Sequence, residues 1–590
     1  MGSLQDISTK TFTDLCCAHT IQTKLLWTPP GSGKYSTISK LAKMFADLKH
    51  RVLICFPEAD YMWEFLTKYG ENLSSLDVLV MNNSNGLKNK STFENATLDY
   101  KCHELYCCLA MSKEWLREMG SLMNLSRYHH VGCSSPSECI RCRQKGLVQF
   151  SLKSFKEKFK YMMGLLQACL DFLINQLSAW LVDCGADTAH ELLDIMGLME
   201  THLQNELLPE EMVQSAFGLV CGLDYSVDDV NVKELNKTRI VSLKMIDALI
   251  TSLKLPELHS REEMKNFCIT NSRIILSTVD HTAQLHGLKM EAFQVLIVDQ
   301  ATLINDNELL IPFNLPLKHI LLMGDHQHRP PAVQSELCKK IGYGLSLFQS
   351  FRSSSADIEM LKTQFEMHPS ISAFPNEYFY NGILMNGENV SSPEYNKEFR
   401  NVPIDPYAFM DISLMNESGH TFQSVVAIMV LLESLYKDMN VDVDRRIKIG
   451  IVCLSLRDAD AVRSQLTSHH KAHDNVMLEV KSIDCLQSEW FDLIILSTVV
   501  QNCTELQLVK GTSINVALTS ARHLCWIVGK QDDLLSSGGI WEDLYRDAKK
   551  RTAVDFLDEN LVLETANKLR LNYVDGLIDK SALRKEVLCQ

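Results

Sequence analysis

The sequence predicts an α/β protein with two tandem parallel-sheet domains and a helical insertion in the first. Three observations carry this expectation. One is the stretch Trp27-Thr28-Pro29-Pro30-Gly31-Ser32-Gly33-Lys34-Tyr35, which joins the apolar run Lys24–Trp27 to a segment with Ile38, Leu41, Met44, Phe45 and Leu48 at helical spacing. Another is a series of short apolar runs that each end in a polar residue: 273–277, 295–299 and 319–325. That pattern belongs to buried parallel strands whose site lies at their C-terminal ends. The last is length, since 590 residues exceed what one hydrophobic core organises, roughly 250–300.

Composition narrows the class. Hydrophobic residues make up 46% and charged residues 22%, a globular balance rather than a disordered one. No run approaches the ~18 uninterrupted apolar residues of a membrane span, and Met1–Lys10 lacks the apolar core of a secretory signal. Nineteen cysteines without such a signal imply free thiols in a reducing compartment, the nucleus or cytoplasm. A net charge of −15 argues against a sequence-blind polyanion binder, though not against a strand gripped in a local channel.

Taken in order, the chain opens with the strand and loop above and a second buried strand, Val52–Cys55, ending at Phe56-Pro57. Between about 95 and 260 strand signals nearly vanish and helical spacing takes over, as in Leu152, Phe155, Phe159, Met162, Met163, Leu166, Leu170 and Leu173. The core then resumes, and after the Ser-rich Arg352–Ser355 a second α/β set begins, with strands expected at Ile447–Leu454, Leu493–Val499 and Leu524–Val528. The last 45 or so residues read as charged and helical.

Strand, glycine loop and helix together form the context of a phosphate site. Gly31 and Gly33 let backbone N–H groups curl around phosphate oxygens, Lys34 adds a point charge, and the helix N-terminus adds a favourable dipole. Thr28 stands where the first glycine of such loops is usual, and Tyr35 where a hydroxyl holds magnesium. The plainer alternative is a strand-to-helix turn rich in Pro and Gly. Val298-Asp299-Gln300-Ala301 reads as the strand-end segment whose Asp holds magnesium through water, and Gly324-Asp325 before Pro330-Pro331 adds a third element.

Four more segments follow: Gln364–Ser372, Asn376–Tyr380, Ile483–Gln487 and Asn515–Arg522. In this order, from about Lys24 to Ala548, the seven segments resemble superfamily 1 helicases of the senataxin and nonsense-mediated-decay type, in particular the plant branch of senataxin-like proteins. The resemblance implies two RecA-like P-loop NTPase domains, 20–95 with 261–350 and 356–548. It further implies a helical insertion at 96–260 and a helical tail at 549–590. ATP with magnesium would bind between the domains and single-stranded RNA or DNA across them, with movement 5′ to 3′.

Residue by residue, the resemblance assigns nucleotide binding to Pro30, Gly31, Ser32, Gly33, Lys34, Tyr35, Asp299, Gln364 and Phe365, with Asp299 also the magnesium residue. Phe365 would stack on adenine. Pro57, Glu58, Ser277, Thr278, Asp484 and Gln487 would lie along the nucleic acid. The catalytic positions are largely substituted. Gln300 replaces the Glu that polarises water, His328 the Gln that senses the γ-phosphate, and Glu366 and Ser520 two arginines aimed at it; Arg522 is retained. Trp490 replaces a further Glu, and Glu58-Ala59 a Thr-Asn pair. Losing a general base typically removes about 10²–10⁴ in rate, and losing an arginine finger roughly 10³–10⁵. A carboxylate 4 Å from a phosphate charge adds about 4 kcal/mol of repulsion at an effective dielectric of 20.

The expectation is therefore a pseudo-helicase that binds nucleotide and single-stranded RNA or DNA without efficient hydrolysis. Its rivals are an active helicase, with Ser36 or water replacing the magnesium ligand, and a protein-interaction scaffold that binds no nucleotide. Protein partners are compatible with the first and third readings, and no membrane partner is expected. His129, His130, Cys133, Cys139 and Cys142 hold one zinc-knuckle pair, Cys139-x-x-Cys142, without a second, so zinc is not expected. His469, His470 and His473 read as a solvated helix end, and Ala548–Arg551 as a solvated basic face rather than a nuclear signal.

Overall fold

A computed structural model describes residues 2–18, 20–73, 78–81, 94–124, 150–176, 185–204, 208–217, 219, 230–253, 255–331, 333, 335–353, 358–396, 399, 401–415, 419–438, 446–469, 475–486 and 489–569. Its strands are β1 (Gln22–Trp27), β2 (Val52–Phe56), β3 (Val78–Met81), β4 (Ile274–Thr278), β5 (Phe293–Val298), β6 (Leu317–Gly324), β7 (Ile358–Met360), β8 (Thr363–Gln364), β9 (Met385–Asn386), β10 (Tyr407–Asp411), β11 (Ile447–Cys453), β12 (Val476–Ser482), β13 (Phe491–Ser497), β14 (Ala521–Gly529) and β15 (Val554–Phe556). The chain divides into two compact units. One comprises Met1–Leu41, Val295–Phe313 and Leu317–Gln590; the other comprises Ala42–Gln294 and Asn314–Pro316.

In the second unit β4 pairs in parallel with both β2 and β3, Ile274 lying opposite Val52 on one side and Val78 on the other. Every residue of these three strands is buried, the continuous apolar character that a sheet covered on both faces requires. Beyond them the chain is helical, as expected from spacing: Leu98–Met123, Leu152–Gln176, Gly185–Gln204, Glu210–Ala216, Val230–Ser252 and Arg261–Asn271. Phe155, Phe159, Leu166, Leu170 and Leu173 form the buried stripe of the second of these. The last helix starts at a capping box, with Glu263 N–H donating to the Ser260 hydroxyl and the Glu263 carboxylate accepting from the Ser260 N–H. Arg51, buried at the start of β2, donates to the carbonyls of Ile269, Ser272 and Glu291 and so ties the strand edge to that helix end.

The first unit holds β1 between β6 and β7, all parallel, with Leu25 opposite Leu322 and Ile358. The helix Gly2–Cys17 reaches the edge strand β7, where Lys10 pairs with Glu359, and Lys24 of β1 pairs with Asp14. The same unit contains a six-stranded parallel sheet in the order β12-β11-β13-β14-β10-β15. One face of that sheet packs on the helix His420–Asp438, through Val426, Val430 and Leu435. The other packs on Pro369–Tyr380, Gly511–Thr519 and Gly539–Lys550, through Phe374, Ile514 and Trp541. Helices on both faces explain why the strands read as uninterrupted apolar runs. The three strands expected here are β11, β13 and β14, with ends displaced by one to three residues. Val554–Phe556 lies in the segment expected to be helical and instead extends the sheet edge beside β10, its backbone paired through Phe409–Asp411. Among the described residues no helix is long and apolar enough to cross a membrane.

Candidate nucleotide site

β1 ends at Trp27, where Pro29 and Pro30 remove the N–H groups a strand needs. Gly31 and Gly33 then adopt φ of +71° and +78°, and the helix Lys34–Asp47 begins at once, Thr37 N–H donating to the Gly33 carbonyl. Both turns are left-handed, which is why glycine stands at both positions. Ser32 is buried and its hydroxyl donates back to the Pro29 carbonyl, bracing the loop. The expected strand–loop–helix is therefore present, with its N–H groups gathered at a helix N-terminus.

Lys34 is already matched. Its Nζ lies 3.4 Å from Oδ2 of Asp299, which is fully buried just beyond β5, and 4.6 Å from the centroid of the Tyr35 ring. Tyr35 is itself buried, so the residue expected at the magnesium position presents a ring to the lysine. Of the two donors expected for magnesium, the Asp299 carboxylate is present and the aliphatic hydroxyl is not, so the residues here supply half of the expected donor set. Gln300, next to Asp299, is buried with φ of +50°, a left-handed conformation unusual for a side chain of its kind, and its carbonyl accepts from Leu303 N–H.

The segment 364–366 crosses the loop. Phe365 N–H donates to the Gly31 carbonyl at 2.9 Å, and a Cβ on Gly31 would stand 3.2 Å from the Glu366 Cβ. Gln364 is fully buried and its amide is committed locally: Oε1 accepts from the Glu366 and Met367 N–H groups, and Nε2 donates to the Met367 carbonyl and to Asn386. Its role in this geometry is to shape the turn that carries Phe365 and Glu366. The Phe365 ring lies against Gly387, where any Cβ would meet it at 2.5 Å. Glu366 accepts from Arg522 Nε at 2.9 Å, and the same guanidinium sits 5.7 Å from the Trp490 ring centroid. Ser520 is buried with its hydroxyl bonded to the Val516 carbonyl.

Behind the loop, Asp325 collects three donors from separate parts of the chain. Trp27 Nε1 and Gln327 N–H reach Oδ1 at 2.8 and 2.9 Å, and the Tyr380 hydroxyl donates to Oδ2 at 2.6 Å. Asn515 Nδ2 then donates to the Tyr380 oxygen at 2.7 Å and to the Gln327 carbonyl at 3.1 Å. His328 Nε2 stands 3.7 Å from Asp325 Oδ2; burial holds its pKa down, with Lys34 and Arg329 adding to the effect and Asp325 opposing it. His326 packs against Trp27 with centroids 4.3 Å apart and the rings tilted by 52°, and burial pushes its pKa down to about 4. Both imidazoles are neutral at physiological pH, so neither adds a positive charge beside the loop.

Of the residues expected along nucleic acid, β2 and β4 bring Pro57 and Glu58 beside Ser277 and Thr278, since Phe56 pairs with Thr278. Glu58 is exposed and precedes the helix Ala59–Tyr69, while the Ser277 hydroxyl donates to the Thr278 carbonyl and the Thr278 hydroxyl to Asp280. Asp484 is exposed on the other unit and its carbonyl accepts from Arg329, which also donates to the Ile483 carbonyl. Arg329, Ile483 and Asp484 border a cleft of about 630 Å³ that Pro330, Leu454 and Lys510 also line. Arg329 was not singled out from sequence; its place directly before Pro330-Pro331 was the available signal. Gln487 and the histidine–cysteine stretch 129–142 lie outside the described residues, as do His470 and His473. Among the described residues no group of three His, Cys, Asp or Glu side chains is placed to hold a metal.

Comparison with known proteins agrees with this architecture. Two family models, each described as an AAA domain, match residues 7–336 and 343–532. Helicase SEN1 of Saccharomyces cerevisiae is 28% identical over 299 residues, 48% of this chain and 13% of that protein. The probable helicase MAGATAMA 3 of Arabidopsis thaliana is 24% identical over 300 residues, 49% of this chain and 37% of that one. The human probable helicase senataxin is 26% identical over 330 residues, 51% and 12% of the two chains. The chain thus spans well under two thirds of the length of these relatives. With one AAA-domain model alone matching more than half of the residues, the protein belongs to that family, within the superfamily 1 senataxin-like helicase group, and is built from two tandem RecA-like domains.

Proposed function

We propose that this protein is a helicase-like P-loop protein that binds nucleotide and single-stranded RNA or DNA but hydrolyses ATP poorly or not at all. One observation carries the reading: two cations at the glycine loop are already paired with carboxylates of the chain, Lys34 with Asp299 and Arg522 with Glu366. Hydrolysis needs charge stabilisation on the transferring phosphoryl group and a positioned water. Gln300 brings no carboxylate for the water, Ser520 is bonded into its own helix, and Arg522 is engaged by Glu366. The domain division 20–95 with 261–350, 96–260, 356–548 and 549–590 belongs to the same proposal, as does a nuclear or cytoplasmic location.

The experiment is steady-state ATPase with and without single-stranded RNA and DNA, alongside binding of a fluorescent ATP analogue to the wild type and to Lys34→Ala. Binding that the variant loses, with turnover far below ~1 s⁻¹, is the expected result. Turnover at or above that rate refutes the impairment, and absence of nucleotide binding refutes the site.

A further inference from the structure

We propose that the glycine loop selects a nucleoside diphosphate over a triphosphate, with the Glu366 carboxylate as the selecting group. This deepens the preceding reading and rests on it. The loop offers a diphosphate what it needs: backbone N–H groups bent inward by the left-handed Gly31 and Gly33, a helix N-terminus, and Lys34.

A third phosphate meets a different environment. Glu366 is fixed at the lip of the loop, since its Cβ lies 3.2 Å from where a Gly31 Cβ would be and Phe365 N–H is bonded to the Gly31 carbonyl. Gln364 holds that turn rigid by accepting from the Glu366 and Met367 N–H groups at 3.0 and 2.8 Å. An added phosphate brings at least one further negative charge. Lys34 is balanced by Asp299 and faced by the Tyr35 ring, and Arg522 is balanced by Glu366. Tyr35 also removes the hydroxyl that would anchor a neutralising metal on the loop side. The extra charge therefore lies beside a carboxylate whose partner guanidinium has been spent on it. Two departures from the family pattern, Glu366 and Trp490, converge on Arg522, which makes its engagement a built feature rather than a lost contact.

The test is calorimetric titration of the full chain with ADP and with ATP, each with and without magnesium. The wild type is expected to bind ADP at least ~10-fold more tightly than ATP, a difference of about 1.4 kcal/mol. E366Q removes the charge and keeps the shape, so it should strengthen ATP binding until the two agree within ~3-fold, with an unchanged far-ultraviolet circular dichroism spectrum as the control for folding. R522Q leaves Glu366 unmatched and should widen the gap. Equal affinities in the wild type, or an unchanged ratio in E366Q, overturn this inference and leave the nucleotide site standing. Failure of both nucleotides to bind overturns the parent reading instead.

Discussion

Tyr380→Phe removes one oxygen from the interior and nothing else, which makes it the sharpest probe of the network behind the loop. The side chain is fully buried, its hydroxyl donates to Asp325 Oδ2 at 2.6 Å and it accepts from Asn515 at 2.7 Å. Burial, with Asp325 beside it, raises the phenol pKa well above its usual value, so the proton stays on the oxygen and points at the carboxylate. Phenylalanine has the same outline, so no cavity term enters. What is lost is a hydrogen bond to a buried charge, worth about 1.5–3 kcal/mol, while Trp27 and Gln327 still donate to Oδ1. Asn515 keeps the Gln327 carbonyl as an acceptor, which limits the loss on its side. The expected destabilisation is about 2–3 kcal/mol. Urea unfolding followed by tryptophan fluorescence reads it, since the Trp27 indole is bonded to the same carboxylate. A double-mutant cycle with Asp325→Asn should give a coupling of at least ~1.5 kcal/mol. A loss below ~0.5 kcal/mol together with additive behaviour would show that Asp325 is not anchored in this way.

Two further outcomes follow from buried groups elsewhere. Arg51 is held down to a pKa of about 10 by burial and donates to three carbonyls, so Arg51→Met, which keeps the apolar stem, should destabilise the second unit by about 3–5 kcal/mol in thermal or chemical unfolding. Arg51→Lys, a point charge able to serve fewer of those acceptors, should fall between it and the wild type. The neutral histidines set an acid limb. An unfolded chain protonates its histidines near pH ~6.5, whereas folded His326 resists to about 4 and His328 is lowered in the same sense. Stability is therefore fully present above pH ~6.5 and falls on acidification towards ~4, by about 1–2 kcal/mol for His326 after allowance for solvent screening. Denaturation midpoints measured across that range should decline, and His326→Gln should flatten the slope; a pH-independent midpoint would contradict the assignment.

Much of the fold was legible because its signals are local. The apolar runs that became β2, β4, β5 and β6 are continuous, and their neighbours Gly31, Gly33, Pro29 and Pro30 carry turn chemistry that needs no distant partner. The helical stripe of Phe155, Phe159, Leu166 and Leu170 is likewise a matter of spacing along one element. β3, β7, β8, β9, β10, β12 and β15 were not recognised: β3, β7, β8, β9 and β15 are two to four residues long, and β15 takes its conformation from pairing with β10 across more than a hundred positions.

The sequence by itself determined the strand, glycine loop and helix, the parallel-sheet class and the positions at which the chain departs from the family it resembles. It did not determine what those altered residues do. Only the tertiary structure decided that Glu366 takes Arg522 as its partner from 156 positions away and stands at the lip of Gly31, that Tyr35 turns its ring to Lys34, and that Asp325 gathers Trp27, Gln327 and Tyr380. The reason is physical. Backbone propensity and periodicity act over a few residues, whereas the energy of a charge depends on which opposite charge the sheets bring within a few ångströms of it.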